Sequence, residues 1–494
     1  MNPRHARLLA TALAFALGAP TAALSAAATP QHLAIHSGGF EALGQSRSGT
    51  AQAGHAFVQR PVRVSHGEWS IDDLPLVIDP STVQLQGEGV LVQSQRYDFS
   101  TADHAQLLQN AIGQTISVEQ NLMSGLREHT GVLVAVGNGL SLREADGRLR
   151  VLSTYSSFSL ARMPESLVLR PTLRFRLDTG GIERDARLDY ATAGLAWRAE
   201  YRASLQGSGN DCRMSLTGHA MVVNRSGIDF NAVALDLIAG DANRRIEQMT
   251  RSDSRLPVLA EAMAVGRMSA EAMPAVVASG EGHRYTLPGT HDLPNGSLQR
   301  LPLIAAVRPI PCERRLVAER PGPDWMPDTP MLHREIGADG EVPVRSRLVF
   351  RNDPRAGLGM PLPAGRLRAF DAGEFLGEAE LGHTAAGRDL DLDLGGAFDV
   401  SAERRTLDFQ LDPARSTMLE TVEWTLRNGK NEDALVHLGD RLPRWTDWQL
   451  VEGAEHFEKR GAQRIEARVR VPAGGETVLR YSVRYRWAAA TSND

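Results

Sequence analysis

Apolar and polar residues alternate with a period of two through most of this chain. In Leu173-Arg-Phe-Arg-Leu-Asp178 the apolar side chains at 173, 175 and 177 interleave with charged ones. That spacing places one face of an extended ribbon in a core and the other in water. The same pattern recurs at Leu188 and Tyr190, at Leu195, Trp197, Ala199 and Tyr201, and across Met214 to Gly240. It returns at Arg347-Leu-Val-Phe350 and Leu390-Asp-Leu-Asp-Leu394, and near the end Leu479, Tyr481, Val483, Tyr485 and Trp487 share one face. One-sided strands belong to antiparallel sheets packed in pairs. The expected fold class is therefore mainly β, with several antiparallel β-sandwich domains.

One segment breaks the pattern. Ala102 to Ile112 has Leu107, Leu108, Ala111 and Ile112 at helical spacing, with Gly113 as a stop. Four brief strands follow at Thr115–Glu119, Gly131–Val136, Leu140–Glu144 and Leu149–Ser153, joined by turns at Gly137-Asn-Gly139 and Ala145-Asp-Gly147. A short helix and short strands in so small a span predict a small β-barrel inserted in the larger frame. The organisation expected is a 1–28 signal peptide, a 29–96 N-terminal β-sandwich portion and a 97–165 barrel-like insertion. A 166–404 central β-sandwich region follows, then a 405–487 C-terminal β-sandwich and a 488–494 tail. Within the central region 251–282 carries Met263, Met268 and Met273 with no clean period, and reads as a mobile surface loop.

The first 28 residues predict export. Arg4 and Arg7 precede an apolar run from Leu8 to Gly18, Pro20 breaks it, and Ala26-Ala-Ala28 supplies small residues for cleavage. The run is about half the roughly 20 residues a membrane-spanning helix needs, so no transmembrane segment is expected in the mature chain. No cysteine follows the cleavage residues to take a lipid. The chain holds 54 basic and 59 acidic residues, a formal charge of -5, and losing Arg4 and Arg7 with the leader makes the mature balance -7. That balance gives no basis for a nucleic-acid partner. Lysine occurs only at Lys430 and Lys459, which reads as GC-rich bacterial coding, and places the mature protein in the periplasm or outside the cell. There the two cysteines, Cys212 and Cys312, either form a disulfide or stay as separate buried thiols; spacing alone does not decide.

Candidate chemistry is sparse. Asp389, Asp391 and Asp393 fall on one face of a strand at steps of about 7 Å, too far apart for one calcium ion to bind all three directly. A wet face paired to arginines such as Arg366 and Arg368 explains them better. Trp445 and Trp448, near Trp424, Arg444 and Asp447, offer an aromatic platform for a sugar, against the alternative of core packing. His283, His291 and His333 have no metal-ligand spacing, and neither a nucleophile elbow nor a phosphate-cradling loop occurs. No catalytic, cofactor-binding or metal residues are assigned, and no cofactor is expected.

Eight motifs also run in the order of a known family. They are Leu167-Val-Leu-Arg-Pro171, Ala193-Gly-Leu-Ala-Trp-Arg-Ala-Glu-Tyr201, Asn224-Arg-Ser-Gly227 with Asp229-Phe230, and Ala239-Gly-Asp-Ala-Asn243. Gly282-His-Arg-Tyr285, Pro361-Leu-Pro-Ala-Gly365, Phe375-Leu-Gly-Glu378 and Gly396-Ala-Phe-Asp-Val400 complete the set. Together, from about Trp69 to Trp487, they resemble exported bacterial proteins grouped under a domain of unknown function and related to mucoidy-inhibitor-like proteins. This chain departs from them at His36-Ser-Gly-Gly-Phe40, and no lysine-rich coiled coil precedes the matching core. The resemblance implies a β-rich exported protein and brings no catalytic residues with it. The functional expectation is a non-enzymatic cell-envelope protein that binds or scaffolds a protein or polysaccharide partner. The alternative is an envelope glycan or peptide hydrolase with a carboxylate pair in a cleft lined by Trp445 and Trp448.

Overall fold

A computed structural model describes residues 30–45, 53–98, 104–122, 125–161, 170–207, 209–240, 274–305, 309–320, 327–336 and 339–488. The expected leader, residues 251–273 of the expected loop and residues 489–494 of the tail lie outside them. The described strands form five sheets, and among the described residues α-helix is limited to Phe40–Gln45 and His104–Asn110. The mainly β class is as the alternation requires. No described helix is long and apolar enough to cross a membrane.

Two large sheets and a three-stranded one (Gly67–Ile71, Thr172–Asp178, Leu91–Asp98), which adds Ile71, Leu173, Phe175 and Leu177, enclose the first core. One large sheet runs in the order Ala275–Ser279, Gly282–Thr286, Phe230–Ala239, His32–His36, Ala56–Val64, Arg184–Thr192, Ile78–Gln86. The other contains Glu374–Leu381, Gly365–Asp371, Leu195–Gln206 and Arg213–Asn224. Leu33, Val58, Tyr190 and Leu237 of the first meet Trp197, Tyr201, Leu216 and Leu367 of the second. Trp197 and Tyr201 enter this core with their polar atoms satisfied, whereas the buried Tyr190 hydroxyl has no hydrogen-bond partner among the described residues. Trp197 Nε1 donates to the Ile238 carbonyl (3.2 Å) and the Tyr201 hydroxyl to that of Pro363 (2.8 Å).

The second sheet does not stop at the first core. Ile310–Glu319 continues it, pairing antiparallel with Val344–Arg351 on one side and parallel with Ala434–Arg441 on the other. Ile310 and Cys312, at one end of this strand, are buried in the first core; Ala318, at the other end, is buried in a second. That second core is closed by a sheet in the order Gly340–Val342, Val400–Asp412, Thr417–Asn428, Glu476–Arg486, Trp448–Glu452. The shared strand is also tied covalently. Cys212 and Cys312 form a disulfide with Cα atoms 4.9 Å apart, and the Cys312 N–H donates to the Cys212 carbonyl (3.1 Å).

The expected barrel is not one. Ser157–Leu160, Thr115–Leu122, Gly125–Gly137, Gly139–Arg143 and Leu149–Leu152 form an open five-stranded sheet whose outer strands do not meet. Leu108 and Ala111 from the end of the helical segment pack onto its apolar face beside Ile116, Val118, Leu133, Leu140, Leu142 and Leu152. A covered face has no need to curl on itself. The described end of the expected mobile loop is also ordered differently: Ala275–Ser279 forms an edge strand against Gly282–Thr286, with Val276 on the first core.

The disulfide closes a sequence separation of 100 residues. Replacing both cysteines with alanine should lower the unfolding free energy by about 4 kcal/mol, because the unfolded chain regains that loop's freedom. Denaturant titration of the double variant, with oxidised wild type as reference, measures the loss.

Candidate binding faces of the C-terminal sandwich

Strand geometry fixes which residues the second core receives. In Thr417–Asn428 the inward positions are Met418, Glu420, Val422, Trp424 and Leu426, so the register carries a glutamate into the interior. By the same alternation Val400–Asp412 brings in Arg404, and Ala434–Arg441 brings in Asp440. These buried charges are paired. Asp440 Oδ2 accepts from Trp424 Nε1 (2.8 Å), the Tyr481 hydroxyl (2.7 Å) and Arg404 Nε (3.0 Å). Glu420 accepts from Arg444 Nε (2.8 Å) and Nη2 (3.1 Å).

Arg444 does a second job. Its Nη1 donates to the His333 carbonyl (2.6 Å) and its Nη2 to that of Arg334 (2.9 Å), fastening the connector that leads into the facing sheet. Asp339, further along, accepts from the Thr406 N–H (2.8 Å) and hydroxyl (3.0 Å). Burial works against charge on Arg404, yet Asp440, Tyr481 and Glu420 hold its guanidinium above the ordinary value. Burial first, and then Asp440, push the Tyr481 phenol well above its usual range. Removing one member of such a cluster leaves its partners charged in a dry core, at a cost of about 3–5 kcal/mol.

The outward positions of the two sheets form shallow polar grooves on opposite sides of this sandwich. The larger, about 710 Å³, includes Glu403, Arg405, Glu423, Arg427, Glu476 and Arg480, with Gly453, Glu455 and His456 at its margin. The smaller, about 370 Å³, includes Arg315, Arg347, His437, Arg464, Glu466 and Arg468. His456 borders both. In the larger groove Glu403 pairs with Arg405 (2.6 Å) and Arg427 (3.5 Å), and Glu476 with Arg427 (2.9 Å). Glu423 pairs with Arg480 and Glu455 with His456. In the smaller groove Asp391 pairs with Arg347 (2.8 Å), Glu319 and Glu466 with Arg464 (3.2 and 2.8 Å), and Glu458 with Arg460 (2.6 Å). The hydrogen bond from Arg405 holds the Glu403 carboxyl below its ordinary value, and that from Arg315 does the same for Glu313. Burial, reinforced by Arg315, lowers the His437 imidazole.

Asp389, Asp391 and Asp393 do share an outward face, but their arginines are not those expected. Register sets them against Val344–Arg351, where Arg351, Arg347 and Arg345 pair with them at 3.5, 2.8 and 2.9 Å. Arg366 and Arg368 instead meet Glu378 (3.2 and 2.6 Å), and Arg368 also meets Glu200 (2.7 Å). Trp445 and Trp448 both pack against the second core. Trp448 Nε1 donates to the Ala462 carbonyl (2.6 Å), and Lys459 Nζ lies 4.3 Å over its ring. Trp424 is wholly buried. Of the histidines, His291 sits in a short strand beside Val233, and His333 contributes its carbonyl to Arg444. No three His, Cys, Asp or Glu side chains among the described residues are placed to hold a metal ion.

Arg404, Glu420 and Asp440 went unnoticed in the sequence. Their signal was available: each is a charged residue at an inward position of an alternating strand. Asn224 was similarly undervalued. Its side-chain amide donates to the Ile228 and Leu293 carbonyls and its oxygen accepts from the Ser226 N–H and hydroxyl, so it closes a strand end from within.

Two measurements follow from the charges. Asp440→Asn should destabilise the protein by about 3 kcal/mol, by removing the anion nearest Arg404, while Asp447→Asn, exposed in a loop, should change little; chemical denaturation compares them. Stability should also fall in two stages on acidification. His437, like His129, His219 and His291, is lowered by burial from 6.5, so the unfolded chain takes up protons first as pH drops below that value. Glu144, Glu313 and Glu403 are lowered from 4.5 by arginine, so a second loss begins as pH drops below that point and ends below their folded values. Denaturation midpoints across pH 8 to 3 track both stages, and His437→Gln should flatten part of the first.

A family model described as Domain of unknown function (DUF4139) matches residues 186–489. No curated protein and no solved structure matches the chain.

Proposed function

The chain belongs to that family, and from this premise we propose that it is a non-enzymatic binding or scaffolding module of the bacterial cell envelope, exported behind its 1–28 leader and related to mucoidy-inhibitor-like proteins. One observation carries the reading: each carboxylate lining the two grooves of the C-terminal sandwich pairs with an arginine, save Glu455, which pairs with His456. A general acid for glycoside or peptide hydrolysis needs a carboxyl whose proton is retained near neutral pH, which apolar surroundings provide and arginines oppose. Glu403, in the larger groove, is shifted the other way. Shallow, charged, fully paired sheet faces suit recognition of a polar partner by exchange of surface ion pairs, each worth only about 0–1 kcal/mol. A polysaccharide or protein of the envelope is that partner.

The test uses the purified mature protein with isolated cell-wall material. We expect co-sedimentation that weakens as salt rises, with no release of reducing ends or peptide fragments. Release that is abolished by Glu→Gln substitution in either groove overturns the reading in favour of a hydrolase.

A further inference from the structure

The larger groove has an ordered charge pattern that narrows the choice of partner. Strand register places Arg405, Glu423 and Arg480 in one row across three strands, and Ser401, Arg427 and Glu476 in another. Between them runs a row of Glu403, Thr425 and Val478. Rows two residues apart lie about 7 Å from each other, and neighbouring strands about 4.8 Å. The face is thus a checkerboard, positive-negative-positive along one row and positive-negative along the other. Thr425 and Val478 form a neutral stripe between them. Val478 is 46% exposed, an apolar side chain open to water in a polar setting.

A chain of one charge sign fits this face badly. A polyanion that reached the three arginines would also lie against Glu403, Glu423, Glu455 and Glu476. A polycation would meet the same difficulty at Arg405, Arg427 and Arg480. The arginines of the existing pairs are solvent-exposed, Arg405, Arg427 and Arg480 each more than half, as is about half of Glu476, while Glu403 and Glu423 keep 22% and 16% of their side chains in water. Such pairs are weak, so a ligand carrying both signs can replace them one for one. Resting on the reading of this sandwich as a binding module, we infer that the face formed by Val400–Asp412, Thr417–Asn428 and Glu476–Arg486 binds an extended peptide segment of mixed charge. Its backbone follows the Thr425–Val478 stripe, its carboxylates meet Arg427 and Arg480, and its ammonium groups meet Glu423 and Glu476. An acidic glycan is the competing occupant.

Labelled peptides of equal length decide the matter by fluorescence anisotropy with the full mature protein at low salt. One alternates glutamate and lysine, one is all glutamate and one all lysine, with polygalacturonate as the glycan arm. The alternating peptide should bind roughly tenfold tighter than either homopolymer. Arg480→Gln and Glu476→Gln should each weaken it several-fold, with unchanged circular dichroism and melting. Arg63→Gln, an exposed arginine on another sheet, should leave binding as it was. Equal or tighter binding of a homopolymer or of polygalacturonate overturns the inference, as does absence of peptide binding. Cell-wall retention that persists while the alternating peptide neither binds nor competes overturns the peptide assignment alone; release of reducing ends overturns the binding-module reading whichever peptide binds.

Discussion

The C-terminal half of this protein is organised around one carboxylate. Asp440 reaches from one sheet into the dry space between two and accepts Trp424, Tyr481 and Arg404 from the other. Hydrophobic burial presses sheets together without fixing how they sit, because it is roughly proportional to area and has no direction. Three donors converging on one oxygen do have direction. They set the two sheets in register across the core, and with that register come the positions of every outward residue. A single carboxylate with three donors is stable in such surroundings only because one donor is charged. Glu420 and Arg444 repeat the device at the connector, with a second carboxylate and a second arginine.

The two grooves are consequences of this inner order. Period-two alternation sends Glu420 inward and Glu423 outward, past the Thr421 step, along the same strand. Inside, charges are few and tightly enclosed; outside, they are many, paired and open to exchange. The contrast explains why the interior charges hold the fold while the exterior ones face solvent. The same side-chain types serve both ends, and solvent access distinguishes them.

Much of the fold was legible. Tyr481, Val483 and Tyr485 share a face and are fully buried, as their spacing requires. Leu173, Phe175 and Leu177 behave likewise. His32–His36 was missed because Leu33, Ala34 and Ile35 are all buried: a strand covered on both faces, running parallel to Phe230–Ala239, shows no alternation to read. The arginines opposite Asp389, Asp391 and Asp393 were misassigned because partners across a sheet are chosen by long-range register, which no local pattern encodes. Whether the 115–160 strands close into a barrel depends on the same kind of information. For the grooves, the residue types were visible, but their assembly from strands far apart in sequence was not.

Ile310–Glu319 belongs to two interiors at once, and this has a consequence for how the molecule comes apart. Its Cys312 end lies in the first core and its Ala318 end in the second, with hydrogen-bonded neighbours along both edges. Neither half can melt without stripping a strand from the other. Cooperative loss of both is therefore the cheaper route, as for a beam built into two walls: pulling down either one loosens its support in the other.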